Sequence, residues 1–246
     1  DTLNFETLEK IKTTDITKLP LLDSNLRIGA CVSKPSKFIG IGLNFKDHAE
    51  EQNLPIPKEP IIFSKFTSCI TGPNDPIIVP KGSTHTDWEV ELGIVIGDKA
   101  RSVSETKAMQ VIAGYTIIND VSERAYQLDA AAGQWTRGKG CDTFCPIGPW
   151  LVTKDEVTRP QNLSIWLELN GKKMQNGNTK TMVFTVKQLV SYVSHFMTLY
   201  PGTIITTGTP AGTAMEMKKP EFLKVGDKLH LKVDGLGEQF HEIIAE

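Results

Sequence analysis

Apolar residues at 186, 189, 190, 193, 196, 197 and 200 fall on one face at a 3.6-residue period. The spacing predicts a helix over residues 186–200. Thr185 and Gln188 fit a capping box, Phe184 and Leu189 a hydrophobic staple, and Pro201-Gly202 a stop. Elsewhere the pattern is shorter and closer to a period of two. The run WEVELGIVIG over 88–97 predicts a strand, with Val90, Ile94, Val95 and Ile96 favouring a sheet. Glu89 and Glu91 share one face of it, and Val90 and Leu92 share the other. Strands are also predicted at 37–44, 60–66, 76–79, 115–119, 164–169, 203–207 and 228–234. Short helices are predicted near 5–11 and 47–52, the latter bounded by Pro55, Pro57 and Pro60. Ser104 caps a predicted helix through 113 that Gly114 ends, and 120–131 also reads as helical. Strands outnumber helices and do not alternate with them, which predicts an α+β, β-rich fold rather than a doubly wound sheet. Residues 1–36 read as an N-terminal arm and residues 37–246 as the main domain.

Composition narrows the choice of partners. The 246 residues carry a net charge of −2, with charges of both signs dispersed. That gives no reason to expect nucleic acid or an anionic membrane as partner. No apolar run approaches the roughly 20 residues that span a bilayer. The start, Asp1-Thr-Leu-Asn-Phe, lacks a basic n-region and an apolar h-region, so no signal peptide is expected. Four cysteines, at 31, 69, 141 and 145, are too few for a disulfide scaffold. Cys141 and Cys145 lack a second pair to complete a zinc site and read as free thiols. A cytoplasmic location is expected, with an organellar matrix also open.

The chemistry concentrates in carboxylates. Two glutamates at i and i+2 on a strand stand about 6.6 Å apart. At an effective dielectric near 20 their charges repel by about 2.5 kcal/mol, so their face must be wet, basic or metallated. Taken alone, the pair also fits a solvated strand face. Asp120, at the end of the apolar strand YTIIN, adds a third carboxylate. Three such groups without Cys or His suit a hard, oxygen-loving ion. Arg124 and Gln127 share a helical face with Asp120 at i+4 and i+7, suited to an anionic substrate or to a plain surface ion pair. His48 and Glu51, at i and i+3, suit a general base with its orienting carboxylate, or an exposed polar turn. Lys139 sits among glycines that admit close approach. The loop TTGTPAGT at 206–213 offers hydroxyls and amides to a carboxylate, and is not a P-loop because no Gly-Lys-Ser/Thr follows.

These pieces, in this order, resemble the fumarylacetoacetate hydrolase family from about residue 37 onward. The resemblance rests on GIGLNFKDHAEE, PIIFSKF, WEVELGIVIG, NDVSERAYQ, GKGCDTFCPIGPW, the QNGNT turn and PGTIITTGTPAGT. It implies a mixed, rolled β-sandwich with a few short helices, commonly a homodimer. It implies Mg²⁺ or Mn²⁺ on Glu89, Glu91 and Asp120, and a catalytic set of His48, Glu51 and Lys139. Substrate-binding roles would fall to Arg124, Gln127, Lys65 and Thr209. Two departures stand out: Phe45 replaces a tyrosine found in many members, and residues 1–36 are shorter than the N-terminal segment of longer members.

The resemblance implies hydrolysis of a small 2,4-dioxo acid, an acylpyruvate or a 2,4-diketo-3-deoxy sugar acid. His48 would deprotonate a water that attacks the 4-carbonyl, and Lys139 would meet the oxyanion. The products would be pyruvate and a carboxylic acid. Related members decarboxylate oxaloacetate, isomerise or decarboxylate hydroxymuconate-type acids, or act as ureidoglycolate lyases. A non-catalytic 2-oxo acid binding protein is the reading from a different class. Selectivity at the far end of the substrate would come from the lid and from residues such as Gln134, Trp135 and Arg137.

Overall fold

The β-branched runs of the sequence pair into sheets, and the segments between them form mostly short helices, the longest being the 11-residue amphipathic one. The structure is a computed structural model that describes residues 3–23, 25–32, 34–129 and 133–246. Its strands are β1 (Phe38–Gly42), β2 (Ile61–Ser64), β3 (Ile70–Thr71), β4 (Ile77–Val79), β5 (Thr86–Asp87), β6 (Val90–Ile96) and β7 (Ile112–Asn119). They continue with β8 (Ser122–Glu123), β9 (Cys145–Thr153), β10 (Ser164–Leu169), β11 (Lys172–Asn178), β12 (Ile204–Thr206), β13 (Lys228–Val233) and β14 (Gly237–Ala245). The helices are α1 (Phe5–Lys12), α2 (Lys46–Glu51), α3 (Glu105–Ala108), α4 (Arg124–Leu128), α5 (Trp135–Lys139) and α6 (Val186–Phe196).

A seven-stranded sheet runs β2-β1-β12-β6-β7-β9-β3, and a five-stranded one β11-β10-β13-β14-β4. Parallel pairs (β1 with β12, β3 with β9, β4 with β14) mix with antiparallel ones. The sheets stack, β10 and β13 against β6 and β14 against β7 and β9. The fold is thus the expected strand-rich α+β sandwich with few helices. Every residue of β6 and β7 is buried, so this pair is covered on both faces.

Local predictions failed where pairing outweighed periodicity. The helix that Ser104 begins gives way to a 3₁₀ turn at Met109–Val111, and β7 starts at Ile112. Gly114 therefore lies inside a strand, opposite Thr153 of β9. A Cβ there would stand 2.1 Å from the Val152 carbonyl oxygen, a backbone atom that cannot swing aside. Gly114→Ala is expected to destabilise the fold by about 2–3 kcal/mol. Urea titration checks this, and a loss under about 0.5 kcal/mol would contradict the packing account.

The amphipathic helix carries its expected cap, with Gln188 Oε1 accepting from the Thr185 amide at 2.9 Å. It ends at Phe196, short of Pro201, because the chain turns extended and Leu199 exchanges two backbone hydrogen bonds with Ala100. In the N-terminal segment, Asn4 caps α1 by accepting from the Thr7 amide at 2.8 Å. Arg27 ties the same segment to the domain through a bidentate bond to Asp75, at 2.7 and 2.5 Å.

Candidate metal centre and active site

The register of one antiparallel ladder builds the site. Val90 of β6 pairs with Asn119 of β7 and Glu91 with Ile118. One step further, the Asp120 amide donates to the Glu89 carbonyl at 2.8 Å. Asp120 thus lies across from Glu89, on the face that Glu91 shares at i+2. The same register continues through β5 and β8, which pair Asp87 with Ser122 and Thr86 with Glu123. That pairing corrects the helix predicted from Asp120. Residues 122–123 are extended and α4 starts only at Arg124, while the predicted segment's end at 130–131 lies outside the described residues. Arg124 and Gln127 do share a helical turn, but Asp120 is not on it.

One oxygen each of Glu89, Glu91 and Asp120 lies within 4.8 Å of the others, and all three residues are buried. At that spacing two ionised groups repel by about 3.5 kcal/mol with a dielectric near 20. The face expected to be wet, basic or metallated is basic. Lys139 Nζ donates to Glu89, Asp120 and the Ser122 hydroxyl, each at 2.8 Å. Lys65 Nζ donates to Asp120 at 2.5 Å and to the Lys139 carbonyl at 2.6 Å. Arg124 reaches Glu89 at 2.7 Å, Asp87 at 2.9 Å and the Gln127 side-chain oxygen at 3.0 Å.

Glu91 differs from its neighbours. It accepts from the Thr206 hydroxyl and from the Gly208 amide at 2.8 Å. Among the described residues no basic side chain pairs with it. Titration follows this asymmetry. Burial works against the charge of Glu89, but Lys139 and Arg124 outweigh it and hold the carboxyl at about 2. Burial, reinforced by Asp120 and Glu89, pushes Glu91 well above the usual carboxylate range. Burial likewise opposes the charge of Lys65, yet Asp120 keeps it above an ordinary lysine. Arg124, buried too, is held up by Asp87 and Glu89. Four buried carboxylates therefore face three buried cations, and the donor set is all oxygen. Those features fit a hard divalent cation on Glu89, Glu91 and Asp120.

His48, on α2, is buried, with Nδ1 3.5 Å from Glu51 Oε2 and Nε2 3.0 Å from the Gln52 amide nitrogen. Burial raises the Glu51 carboxyl, but His48 and the Gly212 amide more than offset it and leave it below its ordinary value. Asn44 anchors the start of α2, accepting from the Phe184 amide at 2.8 Å and donating to the Thr207 carbonyl at 2.8 Å. Phe45, where many members carry tyrosine, is packed in the core.

His48, Glu89, Glu91, Arg124, Lys139 and Thr209 line one cavity of about 270 Å³. Gln127 lines it too, whereas Lys65 lies behind Asp120, outside the lining. Two hydroxyl and ammonium groups are more committed than their sequence positions suggest. The Thr209 hydroxyl donates to the Val90 carbonyl at 2.9 Å and accepts from Gln175 at 2.8 Å. All three ammonium protons of Lys139 have partners within the protein.

Sequence reasoning missed several supporting groups. Asp87 holds Arg124 and also accepts from the Ala214 amide at 2.8 Å. Its signal was present, since residues 87, 89 and 91 are acidic at a strict period of two. Gln175 carried no such signal; its oxygen accepts from the Val90 amide at 3.0 Å, across the two sheets.

Fold and site together define a strand-rich α+β protein with a buried carboxylate triad of the kind that suits a hard divalent cation, and with His48 lining the same cavity as two of its members. The sequence profile described as fumarylacetoacetate (FAA) hydrolase, C-terminal, matches residues 37–244. The chain belongs to the fumarylacetoacetate hydrolase family. It is 57% identical over 240 residues to a Burkholderia ambifaria protein whose name goes no further than hydrolase, covering 97% of this chain and 85% of that one. A fumarylacetoacetate hydrolase from Exiguobacterium antarcticum superposes with TM-score 0.87 at 35% identity, covering 95% and 83% of the two chains. A 5-carboxymethyl-2-hydroxymuconate delta-isomerase from Mycobacterium smegmatis gives 0.79 at 38%, covering 89% and 82%. Maleylpyruvate hydrolase from Sphingobium sp. SYK-6, in complex with manganese(II) and pyruvate, gives 0.83 at 29%, covering 99% and 83%. Family members include hydrolases and isomerases. No helix among the described residues is long and apolar enough to cross a membrane.

Proposed function

We propose that the chain is a divalent-metal-dependent hydrolase that splits a small 2,4-dioxo acid into pyruvate and a carboxylic acid. The observation that carries this reading is the shared cavity: His48, which faces Glu51, lines the same space as Glu89 and Glu91 of the carboxylate triad. Mg²⁺ or Mn²⁺ on Glu89, Glu91 and Asp120 supplies a template and Lewis acid for the oxygens of the 2-oxo acid end. The Mn²⁺ and pyruvate named with the Sphingobium enzyme support that assignment.

The protein's own groups then account for the proton and the new bond. With Nδ1–H toward Glu51, Nε2 of His48 is an acceptor, the place now taken by the Gln52 amide. A water in that place gives its proton to Nε2, and its oxygen bonds C4. The C3–C4 bond breaks, its electron pair passes to C3, and the proton held on His48 Nε2 passes to C3, which completes the methyl group of pyruvate and returns the imidazole to its neutral form. Lys139 bridges Glu89 and Asp120, and meets an oxyanion by exchanging its Ser122 bond. Arg124, Gln127 and Thr209 shape the wall around the acid, and Lys65 fixes Asp120.

The isomerase neighbour at 38% identity favours a second reading, in which His48 moves a proton between carbons of a hydroxymuconate-type acid. A panel of acylpyruvates, oxaloacetate and hydroxymuconate-type acids with Mg²⁺ or Mn²⁺ separates the two. Metal-dependent loss of the acylpyruvate ultraviolet band with stoichiometric pyruvate is expected. Binding of acylpyruvates without turnover defeats the hydrolase reading. Turnover of the hydroxymuconate-type acid alone replaces it with the second.

A further inference from the structure

We infer that the substrate's end remote from the carboxylate cluster is uncharged and apolar, and that this cavity selects against a terminal carboxylate there. The inference rests on the hydrolase reading and adds the substrate's second half to it. The apolar part of the cavity wall is Leu43, Leu54, Phe63, Leu128, Trp135 and Met215, with Phe63 at its inner end, where Lys139 Nζ lies 5.2 Å from the ring centroid. Trp135 meets Phe63 edge to face, with centroids 5.6 Å apart at 63°. The ring has room only because residue 42 is glycine; a Cβ there would stand 2.3 Å from the Trp135 ring. Small backbone on one side and two aromatic rings on the other make a flat, apolar slot.

The cations of the lining are already committed to carboxylates. Arg124 is held by Asp87 and Glu89, and Lys139 by Glu89 and Asp120. His48 faces Glu51. Arg137, on the same helix as Trp135, donates to the Tyr126 carbonyl at 2.9 Å and does not line the cavity. Besides Thr209, the remaining polar side chains of the lining are the neutral amides of Gln52 and Gln127. A terminal carboxylate entering this slot gives up its hydration and finds, among the described residues of the lining, only cations already paired with Asp87, Glu89 or Asp120. An alkyl or aryl end is released from water by the same contacts.

The test compares two acids of equal length, 2,4-dioxoheptanoate and 2,4-dioxoheptanedioate, which differ by a methyl against a terminal carboxylate. With Mg²⁺, kcat/KM is expected to favour the methyl-ended acid by roughly 100-fold. Equal rates, or a preference for the diacid, overturn the inference and leave the hydrolase reading standing. Equilibrium binding to the His48→Ala protein, followed by tryptophan fluorescence, reads the same preference without turnover. If binding shows the preference while the native protein hydrolyses neither acid, the hydrolase reading falls and the slot assignment stands. If neither acid binds, both fall.

A second variant locates the effect. Leu54 is half exposed at the cavity rim, so Leu54→Arg disturbs little packing. It is expected to narrow the preference at least tenfold by giving the diacid a partner. An unchanged ratio in a folded L54R protein overturns the assignment of this wall to the distal group.

Discussion

Replacing Glu91 by glutamine is expected to abolish divalent-cation binding and lower kcat/KM by about 1000-fold, while leaving the fold nearly as stable as before. The size follows from losing a Lewis acid that stabilises developing charge by several kcal/mol, with each 1.36 kcal/mol equal to tenfold in rate. The choice of residue follows from the pairing. Asp120 and Glu89 neutralise Lys65, Lys139 and Arg124. Replacing either one strands a buried cation, which costs about 3–5 kcal/mol and mixes stability with metal loss. Glu91 strands none, because its partners are the Thr206 hydroxyl and the Gly208 amide. A glutamine side-chain oxygen accepts from both. Calorimetric titration with Mn²⁺ and a thermal melt, run on one E91Q sample, give the two readouts. Retained Mn²⁺ affinity would remove Glu91 from the centre, and a melt lowered as much as that of Asp120→Asn would show that its role is structural. Chelation of the native protein is expected to mimic E91Q, with activity restored by Mg²⁺ or Mn²⁺.

The ease with which this centre could be seen in the sequence varied along the ladder that builds it. Glu89 and Glu91 were visible because alternation on one strand is a local property. Asp120 was visible as a candidate, but its place across from Glu89 depends on the β6–β7 register, which no local spacing encodes. The same register explains the miss just beyond it. Residues 122–123 are drawn into an extended pair with 86–87, so propensity for a helix from Asp120 lost to tertiary pairing. Gly114 was misread for a related reason. It suggested a helix stop, whereas its lack of a side chain serves the close approach of β9. The α6 cap, by contrast, is set within four residues and matched the sequence reading. Gln175 and Asp87 join elements far apart in the chain, and only Asp87 had a periodic trace.

His48→Ala is expected to reduce acylpyruvate hydrolysis by about 10²- to 10⁴-fold, the usual contribution of a positioned general base. The same protein should decarboxylate oxaloacetate within a few-fold of any native rate, since loss of CO₂ requires no activated water. The geometry separates the two outcomes. His48 sits on α2 rather than on the ladder that carries the triad, and its ion-pair and hydrogen-bond partners are Glu51 and Gln52. Its removal breaks no bond to the triad, and Mn²⁺ affinity is expected to hold. Glu51→Gln is expected to give a smaller hydrolytic loss, about tenfold, because an amide oxygen can still orient the ring but cannot balance its charge. Equal loss of hydrolysis and decarboxylation in H48A would count against water activation and assign His48 to substrate binding. An H48A protein that loses hydrolysis alone ties the reaction's outcome to α2, and leaves recognition of the 2-oxo acid end to the carboxylate cluster.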